Sequence, residues 1–157
     1  MENKRNSTNT TRSILASVAI LIGTAATAQH LHPDQVPAPV KSAFAKAFPA
    51  AMDVEWDLKG THYNVEFETG LFFTDHEAWY DAAGNMLRHE EEISASDLPA
   101  AVTTAINSEF PGYIVDDTER ITVEGVLSYV VELESKGQAD WKVAYDANGK
   151  QLQKRQD

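Results

Sequence analysis

Val36-Pro37-Ala38-Pro39-Val40-Lys41-Ser42-Ala43-Phe44-Ala45-Lys46-Ala47-Phe48-Pro49 returns 62 residues later as Leu98-Pro99-Ala100-Ala101-Val102-Thr103-Thr104-Ala105-Ile106-Asn107-Ser108-Glu109-Phe110-Pro111. A recurrence of this length marks a duplicated supersecondary unit. Val36, Val40, Phe44 and Phe48 fall at i, i+4, i+8 and i+12, one face of a helix, and Leu98, Val102, Ile106 and Phe110 repeat the stripe. Pro37 and Pro99 suit a first helical turn, where a missing N–H costs nothing; Pro49 and Pro111 stop each helix. Asp34 in the first copy, and Ser96 or Asp97 in the second, are the candidate caps.

Outward from each helix the hydrophobic period changes from 3.6 to 2. Val54-Glu55-Trp56-Asp57-Leu58 alternates, Lys59-Gly60 turns, and His62-Tyr63-Asn64-Val65-Glu66-Phe67-Glu68 alternates again. Further strands are expected near 75–81 and 86–92, joined by Asp81-Ala82-Ala83-Gly84-Asn85, with Gly84 at the φ > 0 position of a tight turn. The second copy predicts strands near 114–123, 127–135, 139–145 and 150–154. Tyr145-Asp146-Ala147-Asn148-Gly149 repeats Tyr80-Asp81-Ala82-Ala83-Gly84. The fold class is therefore α+β: two αββββ repeats, about 35–92 and 97–155, forming one antiparallel sheet or two joined ones with the helices on one face.

Residues 1–28 read as a cleaved signal peptide, with Lys4, Arg5 and Arg12, an apolar run over 14–23 and Ala26-Thr27-Ala28 at its end. The apolar run is about half of the roughly 20 residues a membrane span needs. Residues 29–157 are then a single periplasmic or secreted domain with ten basic and 23 acidic residues, a net charge of −13. Such a balance argues against nucleic acid and against anionic membrane, and it suits a cationic partner. The absence of cysteine excludes disulfides, thiolate metal sites and thiol nucleophiles.

The element order, the Phe48-Pro49 and Phe110-Pro111 helix ends and the two Tyr-Asp-x-x-Gly hairpins resemble the β-lactamase-inhibitor-like, PepSY-like family of exported bacterial proteins. The resemblance spans about 36–153. It implies binding of a protein or peptide through the open face of the sheet, with inhibition as one form of it.

Period-two arithmetic assigns the faces. Val54, Trp56, Leu58, Tyr63, Val65, Phe67, Ala78 and Tyr80 should face the helices. In the second copy Ile121, Val123, Leu127, Tyr129, Val131, Leu133, Trp141, Val143 and Tyr145 should do so. On the open face Arg120, Thr122, Ser128, Val130 and Ala144 are expected, as are Trp79, Glu55, Glu66, Glu68 and Glu77. These last five are the candidate partner-binding residues, with Trp79 as an exposed anchor. Leu71-Phe72-Phe73 is expected to be a packed loop.

No catalytic residue, metal ligand or cofactor is nominated. His30 and His32 fall in an N-terminal stretch expected to be disordered, and His62 and His76 on opposite faces. H-E-x-x-H and G-x-S-x-G patterns are absent, and Asp146-Ala147-Asn148-Gly149 reads as a turn, not a calcium loop. The reading is a non-catalytic binding protein; the alternative is a small-ligand or cation-binding module that uses the acidic face.

Overall fold

The computed structural model describes residues 29–156; the expected signal peptide lies outside them. The chain runs through β1 (Gln29–Leu31), α1 (Ala38–Ala47), β2 (Met52–Lys59), β3 (His62–Thr69), β4 (Thr74–Tyr80) and β5 (Met86–Glu92). It continues through α2 (Ala100–Glu109), β6 (Ile114–Val123), β7 (Val126–Glu134), β8 (Trp141–Tyr145) and β9 (Gln151–Gln156). Among the described residues nine strands form a single antiparallel sheet in chain order. The two halves fuse where β5 pairs with β6, from Arg88↔Val123 to Glu92↔Glu119.

Each helix lays its stripe on its own half of the sheet. Val40 and Phe44 are buried with Trp56, Val65, Phe67, Ala78 and Tyr80; Val102 and Ile106 are buried with Tyr129, Val131, Leu133, Val143 and Tyr145. Cross-strand neighbours share a face. The chain of partners Val65↔Ala78↔His89↔Thr122↔Leu127 therefore puts both clusters on the same side. Aromatic edges knit the first core: the Phe44 ring lies 5.3 Å from Trp56 and 5.0 Å from Phe67, both T-shaped.

Several expectations change. The N-terminal stretch is not disordered: β1 pairs with β2, Leu31 is buried opposite Trp56, and His30 Nδ1 lies 3.6 Å from an Asp57 carboxylate oxygen. The predicted caps act elsewhere, because short 3₁₀ turns precede both helices. His32 and Ser94 cap these turns, and the helices themselves start after Pro37 and Pro99 without a side-chain cap.

Bulges cause the larger correction. β2 slips register between Met52 and Glu55, and β6 between Val115 and Thr118. One extra residue inverts the faces on one side of the bulge. Val54 lies within the β2 bulge, outside the core, and is 37% exposed. Ile121 and Val123 belong to the open face, and Arg120 and Thr122 to the helix face. On the open side Ile121, Val130 and Ala144 form a small third cluster with Val123 against it.

Candidate functional site

The open face concentrates carboxylates because antiparallel register stacks them. Glu55 stands opposite Glu66, Glu66 opposite Glu77, and Glu77 opposite Glu90, a row across four strands. The next rung on this face carries Glu68 opposite Asp75 and Glu92 opposite Glu119. The His76↔Glu91 pairing brings Asp75 beside Glu92. An open groove of about 520 Å³ lies over this floor, walled by Asp53, Glu55, Glu68, Asp75, Glu92 and Asp117 among others.

Like charges directly opposite destabilise a sheet, and part of the floor is neutralised from within. Lys59 Nζ lies 2.9 Å from Glu77 and 3.5 Å from Glu66; Lys142 Nζ lies 2.7 Å from Glu132 and 3.5 Å from Glu119; Arg88 pairs with Glu90. Burial would lower Lys59, but its hydrogen bonds and charge contacts with Glu77 and Glu66 hold it above its ordinary value. Among the described residues no cation pairs with Glu55, Glu68, Asp75, Glu92 or Asp117. Burial raises the Glu92 pKa, and the charges of Asp117, Asp75 and Glu119 add to it; burial likewise raises Glu90, with Arg88 opposing.

Trp79 sits on the open face, between Asn64 and Arg88 in register. It is not a free anchor, however. Its ring is half-buried, Lys59 Nζ stands 5.0 Å from the ring centroid, and Nε1 is buried without a partner. Asn64 beside it is fully buried and donates to Glu77 Oε1 at 2.6 Å. Substituting Trp79 would therefore disturb packing as well as surface, so the carboxylates are the cleaner probes. Glu55, Glu66, Glu68 and Glu77 all lie on the floor as expected. The sequence reading missed Glu90, Glu92, Asp75 and Glu119, whose place depends on strand register.

On the helix side the register makes a second cluster that no motif announced. His76 Nδ1 and His89 Nε2 are 3.1 Å apart, with the rings stacked, and Thr69 Oγ1 lies 2.7 Å from His76 Nε2. Phe67 stacks on His76 and Phe48 packs on His89. Burial lowers the pKa of both histidines, and the charge of His76 lowers His89 further; Glu91 opposes this while Arg120, paired with Glu91, adds to it. Two imidazoliums cannot share such a contact.

The sign follows from linkage. The unfolded chain takes up protons from about pH 6.5 downward, before the folded state does. The pair's contribution is thus full above that pH and is lost as pH falls through the lowered folded values. Glu90 and Glu92 act oppositely at lower pH, since their raised values favour the folded state as protons bind. The expected result is a Tm that declines as pH drops from about 6.5 toward 5.5, and a His76→Gln/His89→Gln variant whose Tm is flatter there. Calorimetric scans across that range check it; equal slopes would disprove it.

Among the described residues no group of three or more His, Asp or Glu is arranged to hold a metal ion. Nor is any described helix long and apolar enough to cross a membrane. Asp146 accepts from the Asn148 and Lys150 N–H groups at 2.8 and 3.0 Å, as a turn-forming aspartate does.

Comparison with known proteins places this architecture. A BLIP-like protein from Bacteroides fragilis is 27% identical, with a TM-score of 0.66 over 76% of this chain and 86% of that one. A protein from Bacteroides eggerthii described as "putative periplasmic" shares the fold at 18% identity, with a TM-score of 0.70 over 77% of this chain and 88% of that one. An 87-residue segment, 54% of this chain, is 31% identical to the protein translocase subunit SecA of Xanthomonas euvesicatoria pv. vesicatoria, but it spans only 9% of that protein's length. The profile of the family described as "Putative beta-lactamase-inhibitor-like, PepSY-like" matches residues 23–74 and again 61–153, so the second match begins at β3 and runs on through the second half of the sheet. With its duplicated helix-and-hairpin plan accounted for end to end, the chain belongs to this PepSY-like, β-lactamase-inhibitor-like family.

Proposed function

We propose that this protein is a non-catalytic exported binding protein that engages a cationic segment of a protein or peptide through the acidic open face of its sheet. One observation carries the reading: two adjacent rungs place eight carboxylates side by side, and four of them, Glu55, Glu68, Asp75 and Glu92, lack cationic partners within the described residues. A surface of one sign raises the local concentration of oppositely charged groups and steers their approach. Inhibition, the mode named in the family's description, is one way such a face would act. Export to the periplasm agrees with the signal-like residues 1–28 and with the description of the Bacteroides eggerthii relative.

A pull-down from envelope extract at low salt, with a Glu55→Gln/Glu66→Gln/Glu68→Gln/Glu77→Gln variant alongside, tests this. The native protein should retain a partner that rising ionic strength releases and that the variant fails to hold. Retention indifferent to both salt and substitution would sink the proposal. The second reading, a cation-binding module, draws on the acidic face alone, since the described residues hold no cluster of three or more His, Asp or Glu arranged around an ion. Calorimetric titration with calcium separates the two: saturable micromolar binding supports the second.

A further inference from the structure

The loop between β3 and β4 is built from residues that its structural task does not require. Leu71, Phe72 and Phe73 are 91%, 93% and 61% exposed, so the expected packed loop is instead an apolar tip in solvent. The duplicated architecture supplies an internal control. The β7–β8 hairpin holds the same place in the second half and turns with Ser135-Lys136-Gly137-Gln138-Ala139-Asp140, where Asp140 Oδ1 accepts the Ser135 N–H at 3.2 Å. Polar residues thus close this hairpin adequately. Phe73 also adopts φ 53°, a left-handed conformation that costs a bulky residue energy. The last β3–β4 rung, Thr69↔Thr74, holds the loop's two ends.

The surroundings of the tip select its partner. Glu68 and Asp75 stand one rung away, and Glu92 follows on β5. Exposed Met52 pairs with Glu68 and extends the apolar fringe at this end of the sheet. An anionic bilayer would be repelled here, and a second copy would bring carboxylates against carboxylates. Charge complementarity favours a partner that carries positive and apolar side chains together.

We infer that Leu71, Phe72 and Phe73 are an apolar anchor that, with Glu68, Asp75 and Glu92, receives a cationic amphipathic segment of a protein or peptide. The inference rests on the acidic-face reading and adds to it the apolar half of recognition. Lysine or arginine side chains lie on the carboxylates, and leucine or aromatic side chains on the tip.

Isothermal titration with two synthetic peptides of equal charge tests it. One peptide has lysines on one helical face and leucine and phenylalanine on the other; the second replaces its apolar residues by serine. The native protein should prefer the first by about tenfold or more. A Leu71→Ser/Phe72→Ser/Phe73→Ser variant, with Tm unchanged, should bind both peptides equally. A Glu68→Gln/Asp75→Asn/Glu92→Gln variant should weaken both. Loss of preference in the native protein, or its survival in the tip variant, overturns the anchor while leaving the acidic face intact. Failure of both peptides to bind, or indifference to the acidic substitutions, overturns the face and the anchor together. Tip-dependent binding to phosphatidylcholine vesicles, or tip-dependent dimerisation in sedimentation, also overturns the anchor and assigns the loop to a bilayer or to a second copy.

Discussion

Gly149→Ala is expected to cost about 2–5 kcal/mol of stability, which for a domain of this size is a Tm drop on the order of 10 °C. Two effects add. Gly149 has φ 79°, and holding an L-residue in that region costs about 1–2 kcal/mol. A Cβ there would also stand 2.4 Å from the Ala101 carbonyl oxygen, in the first turn of α2. Backbone cannot swing aside as a flexible side chain can, so the β8–β9 turn must lift off the helix. Gly84 repeats the arrangement against Pro39, with its Cβ position 2.6 Å from that carbonyl oxygen, and should respond alike. The comparison variant is Gly125→Ala: its φ is 80°, but nothing lies within 4 Å. It should lose only the conformational part, about 1–2 kcal/mol. Chemical denaturation of the three variants checks the prediction; equal losses would show that the contact with the helix carries no weight.

Trp56→Ala should be comparably damaging, at about 3–5 kcal/mol. Trp56 is buried between Leu31 on β1 and Val65 on β3, with its ring edge-on to Phe44. Truncation opens a cavity that β-sheet backbone on both sides cannot collapse to fill. The second repeat shows why the loss concentrates in one half: the position after its bulge that pairs with Val131, as Trp56 pairs with Val65, is Thr118. That half relies on Leu133, Val131 and Tyr145 instead. Denaturation followed by far-UV circular dichroism measures the loss without depending on the missing fluorophore. Because β5 and β6 pair along five residues, both halves should still unfold in one transition.

The Tyr-Asp-x-x-Gly signature that pointed to the family also has a physical account. Tyr80 and Tyr145 are core residues on the helix face. Asp81 accepts from the Ala83 and Asn85 N–H groups at 2.9 Å, and Asp146 does the equivalent. The glycines then let each turn touch the start of its helix. The motif fastens one end of the sheet, while the acidic groove and Leu71-Phe72-Phe73 lie exposed toward the opposite end.

The duplication, both helices, every described strand but β1 and most of the core were legible from residue order because their signals are local. A 3.6 period from Val40 to Phe44, or a period of two from Tyr63 to Phe67, declares which side chains share a face within one element. Tertiary structure alone decided what depends on how elements are set against one another. The bulge in β2 put Met52 on the open face, and that in β6 moved Ile121 across the sheet, since a single inserted residue inverts alternation without altering composition. Register aligned the carboxylates of four strands and brought His76 to His89, residues that no spacing connects. Whether an apolar triplet is buried or bare is a property of its neighbours, and for Leu71-Phe72-Phe73 the surrounding chain provides no cover.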